Sequence, residues 1–332
     1  MFNRPHHQNI VRFLEKLDGD LLERAGCFFG GGTAIVLLTN EYRESVDVDF
    51  LCASAEGYRQ IRELVSDNNL NKLAKEPIQL AREVRKDRDK IYTVIDAGPG
   101  ERPIKFEIVR EARISLEGQR VLGLPVAMVA RDDLYAEKIL ANADRWPDAS
   151  VLYRDAIDLA MMIDQWGPIP QTALEKTKAA YGNDALGSLR KVTDFLAANP
   201  SALDKALLSM AMDEHLSARI TAVLESELHR IEPALHRLAA EPGQPEGVTA
   251  LLTARGAATQ RLDTERGHYV GPILLVEDDH AVQDLGRNTV AVHRLPASQP
   301  APVVGQRYTV KYTFGHPDWE PKVPSPRRDL GR

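Results

Sequence analysis

The chain has 332 residues, enough for about two domains, and its 43% hydrophobic and 27% charged residues are ordinary for a globular protein. A formal net charge of −6 excludes a global attraction to nucleic acid, so an RNA partner would need a local basic patch. No run reaches the ~18 apolar residues of a membrane span. The opening Met1-Phe2-Asn3-Arg4-Pro5 lacks the apolar core of a signal peptide, and Cys27 and Cys52 read as reduced core residues. The expectation is a cytoplasmic protein with no membrane partner and no disulfide.

In chain order, residues 10–25 carry a helical stripe of Ile10, Phe13, Leu14, Leu17, Leu21 and Leu22. A short buried strand is expected at 27–29, a helix at 33–39, and a strand at 46–52. Between the first strand and the helix lies Gly30-Gly31-Gly32-Thr33. Residues without a Cβ let a backbone approach a phosphate, and Thr33 adds a hydroxyl at the mouth of the helix. The next strand carries Asp47 and Asp49, which share a face because strand side chains alternate, while Val46, Val48 and Phe50 take the other. Two like charges so close repel unless a divalent cation lies between them. A phosphate-cradling turn followed by a metal-ready carboxylate pair is the head of a site for nucleotidyl transfer. It is not a Walker A loop, because no Gly-Lys-Ser/Thr follows, and the Gly-x-Gly-x-x-Gly dinucleotide spacing is missing.

A crossover helix is expected at 56–65, then strands at 78–84, 91–97 and 104–109. On the last of these, Ile104, Phe106 and Ile108 form one face and Lys105 and Glu107 the other. Glu107 reads as a third acid for a two-metal site, and Lys105 as a solvated residue. Residues 131–240 are almost entirely helical, with breaks at Gly167-Pro168, Gly182-Asn183 and Asn199-Pro200. One helix opens with Asp132-Asp133 and carries Lys138 on a flank able to reach a cleft. In the next, Asp155 and Asp158 lie three apart on one face beside Arg154. That cluster suits either a helix-to-helix tie or a catalytic role. The Pro/Gly-rich stretch 241–247 reads as a linker opening a 241–267 connection, and strands at 268–276, 289–293 and 308–312 imply a small β-rich module. A loosely ordered tail is expected over 316–332.

Gly31-Gly32-Thr33, Arg43-x-Ser45-x-Asp47-x-Asp49-Phe50, Lys105-Phe106-Glu107-Ile108, Glu137-Lys138-Ile139 and Arg154-Asp155-x-x-Asp158-Leu159 together resemble the AbiEii/AbiGii-type nucleotidyltransferases. These belong to the DNA-polymerase-β-like superfamily and include abortive-infection and toxin–antitoxin toxins. The resemblance implies an α+β fold: a mixed sheet carrying the acids over 1–130 and a helical part over 131–240 closing on the nucleotide. It implies an NTP substrate with Mg²⁺ or Mn²⁺ held by Asp47, Asp49 and Glu107, and an acid of the 154–155 block, Asp155, as a further catalytic carboxylate. Gly31, Gly32, Thr33, Arg43, Ser45 and Lys138 would bind the nucleotide, with Lys138 on the triphosphate. The acceptor would be RNA, particularly a tRNA end, or a protein, and a cognate antitoxin would be a partner. Many superfamily members have Ser where this chain has Thr33, which preserves the hydroxyl. The alternatives are a degenerate nucleotide-sensing module of a mobile element and a small-molecule nucleotidyltransferase. Residues 268–315, with Gly267-His268-Tyr269-Val270-Gly271-Pro272-Ile273 and Gln283-Asp284-Leu285-Gly286-Arg287-Asn288, are similar to the KfrB-type domain of plasmid proteins.

Overall fold

The computed structural model describes residues 2–65, 69–239, 245–260, 262–263, 266–286, 288–295, 300–313 and 316–322. The chain divides into two compact units, 1–230 and 231–332.

The first unit opens with α1 (Pro5–Lys16) and α2 (Gly19–Arg24), followed by β1 (Cys27–Gly30), α3 (Gly31–Leu38), β2 (Asp47–Cys52) and α4 (Ala55–Leu64). Strands β3 (Leu80–Lys86), β4 (Lys90–Ile95), β5 (Ile104–Arg110), β6 (Gly118–Gln119) and β7 (Met128–Val129) complete one sheet in the order β3-β4-β5-β2-β1-β7-β6. It is mixed: β2 runs parallel to β5 and β1 to β7, while the other neighbouring pairs are antiparallel. Helices α5 (Arg131–Arg145), α6 (Arg154–Trp166), α7 (Gln171–Tyr181), α8 (Asp184–Ala198), α9 (Pro200–Ser209) and α10 (Leu216–Ala239) follow.

The stripe expected to form one helix over 10–25 is two helices. Asp18 caps α2 by accepting the Leu21 N–H (3.0 Å), and the Asp18 N–H bonds Leu73 O (2.8 Å). A side chain that competes for backbone donors breaks the helix there although the apolar periodicity runs on. Core residues from α1, α2 and α4 (Phe13, Leu22 and Ile61 among them) meet the buried sheet face at Phe29, Phe50 and Phe106. Phe13 and Phe50 make edge-to-face contacts with Phe106. With that face buried, the alternation of β2 turns Asp47 and Asp49 away from the core, where α3 packs against both β2 and α6.

The second unit contains α11 (Glu246–Arg255), β8 (Ala258–Thr259), β9 (His268–Glu277), β10 (His280–Gly286), β11 (Thr289–Arg294), β12 (Arg307–Thr313) and β13 (His316–Pro321). Its sheet order is β13-β12-β9-β10-β11-β8, antiparallel except for β8 against β11. Two expectations change. Of the expected 241–267 connection, residues 241–244 lie outside the described residues, and α11 is part of this unit. Glu277 caps that helix by accepting the Val248 N–H (3.0 Å), and Val248 is buried beside Val282 and Val290. The expected tail begins with a strand: β13 pairs along β12, and its Trp319 packs on His293 and Tyr308. Residues 323–332 of that tail lie outside the described residues. No helix among the described residues is long and apolar enough to cross a membrane.

Candidate active site

The glycines expected as a turn before a helix are its first residues: α3 starts at Gly31 with Gly30 as N-cap. Gly31 has φ +70°, and a Cβ there would lie 2.5 Å from Asp49 Oδ2; one on Gly32 would lie 2.3 Å from an Arg43 Nη. Only glycine gives the backbone this conformation while letting it close on the carboxylate and the guanidinium at once. Thr33 Oγ1 hydrogen-bonds Ser45 Oγ (2.8 Å) and Asp47 O, so both hydroxyls fasten the helix start to the carboxylate strand.

Strand register assembles the acids. Asp49 stands opposite Glu107 and Asp47 opposite Lys105 across β2 and β5. Burial, then the charges of Glu107 and Asp47, pushes Asp49 up to about 6. Burial also works against ionised Glu107, but ion pairs from Lys90 (2.6 Å) and Lys105 (2.9 Å) outweigh it and leave this carboxyl below its ordinary value. Lys105 also reaches Asp47 (3.8 Å), so the residue expected to be merely solvated bridges two candidate acids. Among the described residues no group of three or more His, Cys, Asp or Glu is arranged to hold a metal ion. Glu107 is neutralised by lysines instead. Asp47 and Asp49 nevertheless suit a hard divalent cation: both offer oxygen donors, and Asp49 sits in a negative field that such an ion would relieve. Mg²⁺ commonly takes only one or two carboxylates and completes its shell with water and substrate phosphates.

Behind the acids lies a buried ionic network. Arg43 grips Asp158 with two bonds (2.7 and 2.9 Å), and the Tyr42 hydroxyl donates to the same carboxylate (2.5 Å). Lys138 Nζ is held between Asp155 (3.0 Å) and Asp158 (2.7 Å), and Arg145 forks onto Asp155 (2.6 and 2.9 Å). Burial opposes ionisation of Asp158, but Arg43 and Lys138 overcome it and hold the carboxyl well below its usual range. Arg43 and Lys138, expected to touch phosphate, are thus first engaged with protein carboxylates. Lys138 retains a third N–H for the cavity it lines. Asp155 is 2% exposed and does not line that cavity; it is ion-paired with Lys138 and Arg145. Lys176 on α7 is ion-paired with Asp133 of α5.

Sequence reading missed the support for the loop between α3 and β2. Glu41 accepts the Asn3 (2.6 Å) and Arg4 (3.1 Å) N–H groups at the start of α1. It also pairs with His7 Nδ1 (2.7 Å), while His7 Nε2 accepts the Ser45 N–H (3.1 Å). That pattern sets the Nδ1–H tautomer, and burial, opposed by Glu41, keeps the ring neutral. These contacts span more than 30 residues of sequence, and no local motif announces them.

The result is a cavity of about 340 Å³ lined by Gly32, Thr33, Ser45, Asp47, Asp49 and Glu107 among others. Six cations border it: Arg43, Arg102, Lys105, Lys138, Arg145 and Arg154. One wall is Ser150-Val151-Leu152, where Leu152 and Tyr153 are consecutive left-handed residues (φ 55° and 53°) and Tyr153 packs on Phe195. A cation-rich cavity opening on paired carboxylates at a glycine helix start has the charge and backbone geometry to take a polyphosphate.

Comparison with known proteins agrees. Residues 12–240 match the family model described as nucleotidyl transferase AbiEii toxin, type IV TA system, and the chain belongs to that family. Residues 268–316 match the KfrB domain. No curated protein matches the sequence. Similar solved structures include JHP933 from Helicobacter pylori, at 16% identity and TM-score 0.42, covering 72% of this chain and 99% of that one. An antigenic nucleotidyltransferase-like protein from Paracoccidioides brasiliensis has 14% identity and TM-score 0.37, covering 61% and 94%. MenT4, a nucleotidyltransferase toxin from Mycobacterium tuberculosis H37Rv, has 18% identity and TM-score 0.28, covering 71% and 95%.

Proposed function

We propose that the protein transfers a nucleoside monophosphate from an NTP to a hydroxyl at an RNA 3′ end, releasing pyrophosphate, as the catalytic arm of a toxin–antitoxin pair. The observation that carries this reading is the convergence of Gly32, Asp47 and Asp49 on one cavity bordered by six cations. A divalent ion, Mg²⁺ or Mn²⁺, would be held by Asp47 and Asp49 and would supply charge neutralisation on the phosphates and acidification of the attacking hydroxyl. The N–H groups at the start of α3 cradle phosphate oxygens, where the helix dipole favours negative charge. Lys138 and Arg145, oriented by Asp155 and Asp158, present positive charge without needing to reorganise, the condition under which electrostatic stabilisation of a transition state is largest. The acceptor oxygen forms its bond to the α-phosphorus as the bond to the bridging oxygen of pyrophosphate breaks. The hydroxyl proton leaves to solvent or to a carboxylate of the site. Lys105 and Lys90 keep Glu107 anionic and in place beside the incoming group.

The test is incubation of the purified protein with each α-labelled NTP and Mg²⁺ against total RNA and total protein. Label on RNA 3′ ends is expected. Label on protein would overturn the RNA acceptor and keep the transfer chemistry, and no label with any NTP would favour a degenerate nucleotide-sensing module. Thermal stabilisation by NTP with Mg²⁺, weakened in Lys138→Ala, is the binding counterpart.

A further inference from the structure

A second recess adjoins the first at Glu107. This groove of about 440 Å³ is lined by Arg85, Lys86, Asp87, Lys90 and Tyr92, and it shares Lys105 and Glu107 with the cation-bordered cavity. Strand register explains the alignment. Arg85 stands opposite Tyr92, Tyr92 opposite Glu107, Glu107 opposite Asp49 and Asp49 opposite Gly30. Residues in register share a sheet face, so one straight row runs from the sheet edge, past an aromatic ring, to the acids and the glycine helix start.

The chemistry of the row is asymmetric. Three cations (Arg85, Lys90 and Lys105) face the groove, where Glu107 is already neutralised by Lys90 and Lys105; the fourth, Lys86, turns its ammonium to Arg62 O and Val65 O. Lys90 Nζ lies 5.5 Å from the Tyr92 ring centroid, so the ring and the cations are interleaved. Cations that track a backbone beside an aromatic surface for a base are the elements of single-stranded nucleic-acid binding. In-line phosphoryl transfer needs the attacking and leaving oxygens on opposite sides of phosphorus. Two recesses that share Lys105 and Glu107 offer separate places for the two groups, the cation-rich cavity for pyrophosphate and the groove for the acceptor.

We infer that the β3–β5 groove is the acceptor channel, in which a base near the 3′ end of a single-stranded RNA stacks on Tyr92 and the flanking phosphates lie along Arg85 and Lys90. This inference rests on the transfer reading for its catalytic meaning, but binding tests it independently. Fluorescence anisotropy with a short labelled single-stranded oligoribonucleotide compares the full chain with Tyr92→Ala, Tyr92→Phe and Arg85→Ala. Tyr92→Ala is expected to weaken binding about tenfold, the scale of one lost base–aromatic stack, while Tyr92→Phe binds like wild type. Arg85→Ala should make the logarithmic salt slope shallower by about one unit. Both substituted side chains lie on the outer face of the sheet, and NTP-induced thermal stabilisation, expected to be unchanged, checks that the variants are folded. Failure of wild type to bind the oligonucleotide, or equal binding by Tyr92→Ala, overturns the acceptor channel. RNA binding that depends on Tyr92 but comes without nucleotidyl transfer would overturn the proposed function and leave the groove standing.

Discussion

Beneath the cavity of the first unit, Asp158, fully buried, holds Arg43 and Lys138 as ions. On β11 of the C-terminal sheet the equally buried His293 is kept neutral by burial. Gln283 donates both amide hydrogens, to Gly271 O (3.0 Å) and Tyr308 O (2.9 Å), so its oxygen accepts from His293 Nε2–H (3.0 Å). Nδ1 then accepts from the Tyr312 hydroxyl (3.1 Å). Every polar atom of this trio has a neutral partner, which specifies a unique core without the desolvation cost of an ion. The first unit accepts that cost, and its network sets three cations (Arg43, Lys138 and Arg145) against two carboxylates. Arg43, Lys138 and Arg145 all line the cavity, so the remaining positive charge faces it.

The largest effect expected within this contrast is on chemistry. Asp49→Ala should reduce nucleotidyl transfer on the order of 10³-fold, and with it any growth toxicity. It should leave the metal-free melting temperature equal to or above wild type, because repulsion with Asp47 and Glu107 disappears. Transfer assays paired with thermal denaturation check this, and an active variant would remove the carboxylate pair from the mechanism.

Next come the networks themselves. Asp158→Asn leaves two buried cations short of a counter-charge and should cost about 3–5 kcal/mol. His293→Phe removes neutral hydrogen bonds and should cost about 1–3 kcal/mol. Hydrogen exchange resolves the units separately, and equal losses in the two would mean that ionic and neutral burial are energetically alike here.

A smaller effect is in acid. Burial lowers the pKa of His293 to about 4, whereas in the unfolded chain it titrates near 6.5. Between those values the unfolded state binds more protons, so the second unit should lose stability as pH falls from about 6.5 towards 4. His293→Phe should flatten that slope. In the first unit His7 gives the same sign but is opposed by Glu41, and Asp158 keeps its charge throughout the window.

What could be read from sequence follows the range of the interactions. Asp47 and Asp49 were legible because a period of two acts within one strand, and the glycine helix start because Gly30-Gly31-Gly32-Thr33 is contiguous. The positions of Arg43 and Lys138 near the site were legible from family motifs, but their engagement was not, since Asp158 lies 115 residues from Arg43. Lys105 looked solvated because alternation gives a face and not what the neighbouring strand places on it. The row from Arg85 to Asp49 depends on the register of four strands, which no single segment encodes. Strand β13 was hidden by its Pro and charged residues, tolerated because it is an edge strand.

The finest test of the contrast is a third cluster, in which a buried carboxyl holds a proton within an ionic setting. Arg113 bridges Glu111 (2.7 Å) and Glu137 (2.9 Å) and also reaches Asp144 (2.8 Å). One guanidinium cannot neutralise all of these acids. Burial, followed by the charge of Glu111, pushes Glu137 up to about 8, with Asp133 one turn earlier on α5 adding to the shift. Glu111 moves the other way: Arg113 outweighs its burial, so its stabilising contribution is lost only as acid protonates it. For Glu137 the sign is reversed. Unfolded, it titrates near 4.3, so between that value and about 8 the native state holds the extra proton and stability falls as pH rises. Glu137→Gln fixes the neutral form. The variant should match wild type at about pH 4, melt clearly higher near pH 8.5, and show a flatter stability profile between. A profile parallel to wild type would mean that the proton is not on Glu137 and that Arg113 satisfies both carboxylates as ions.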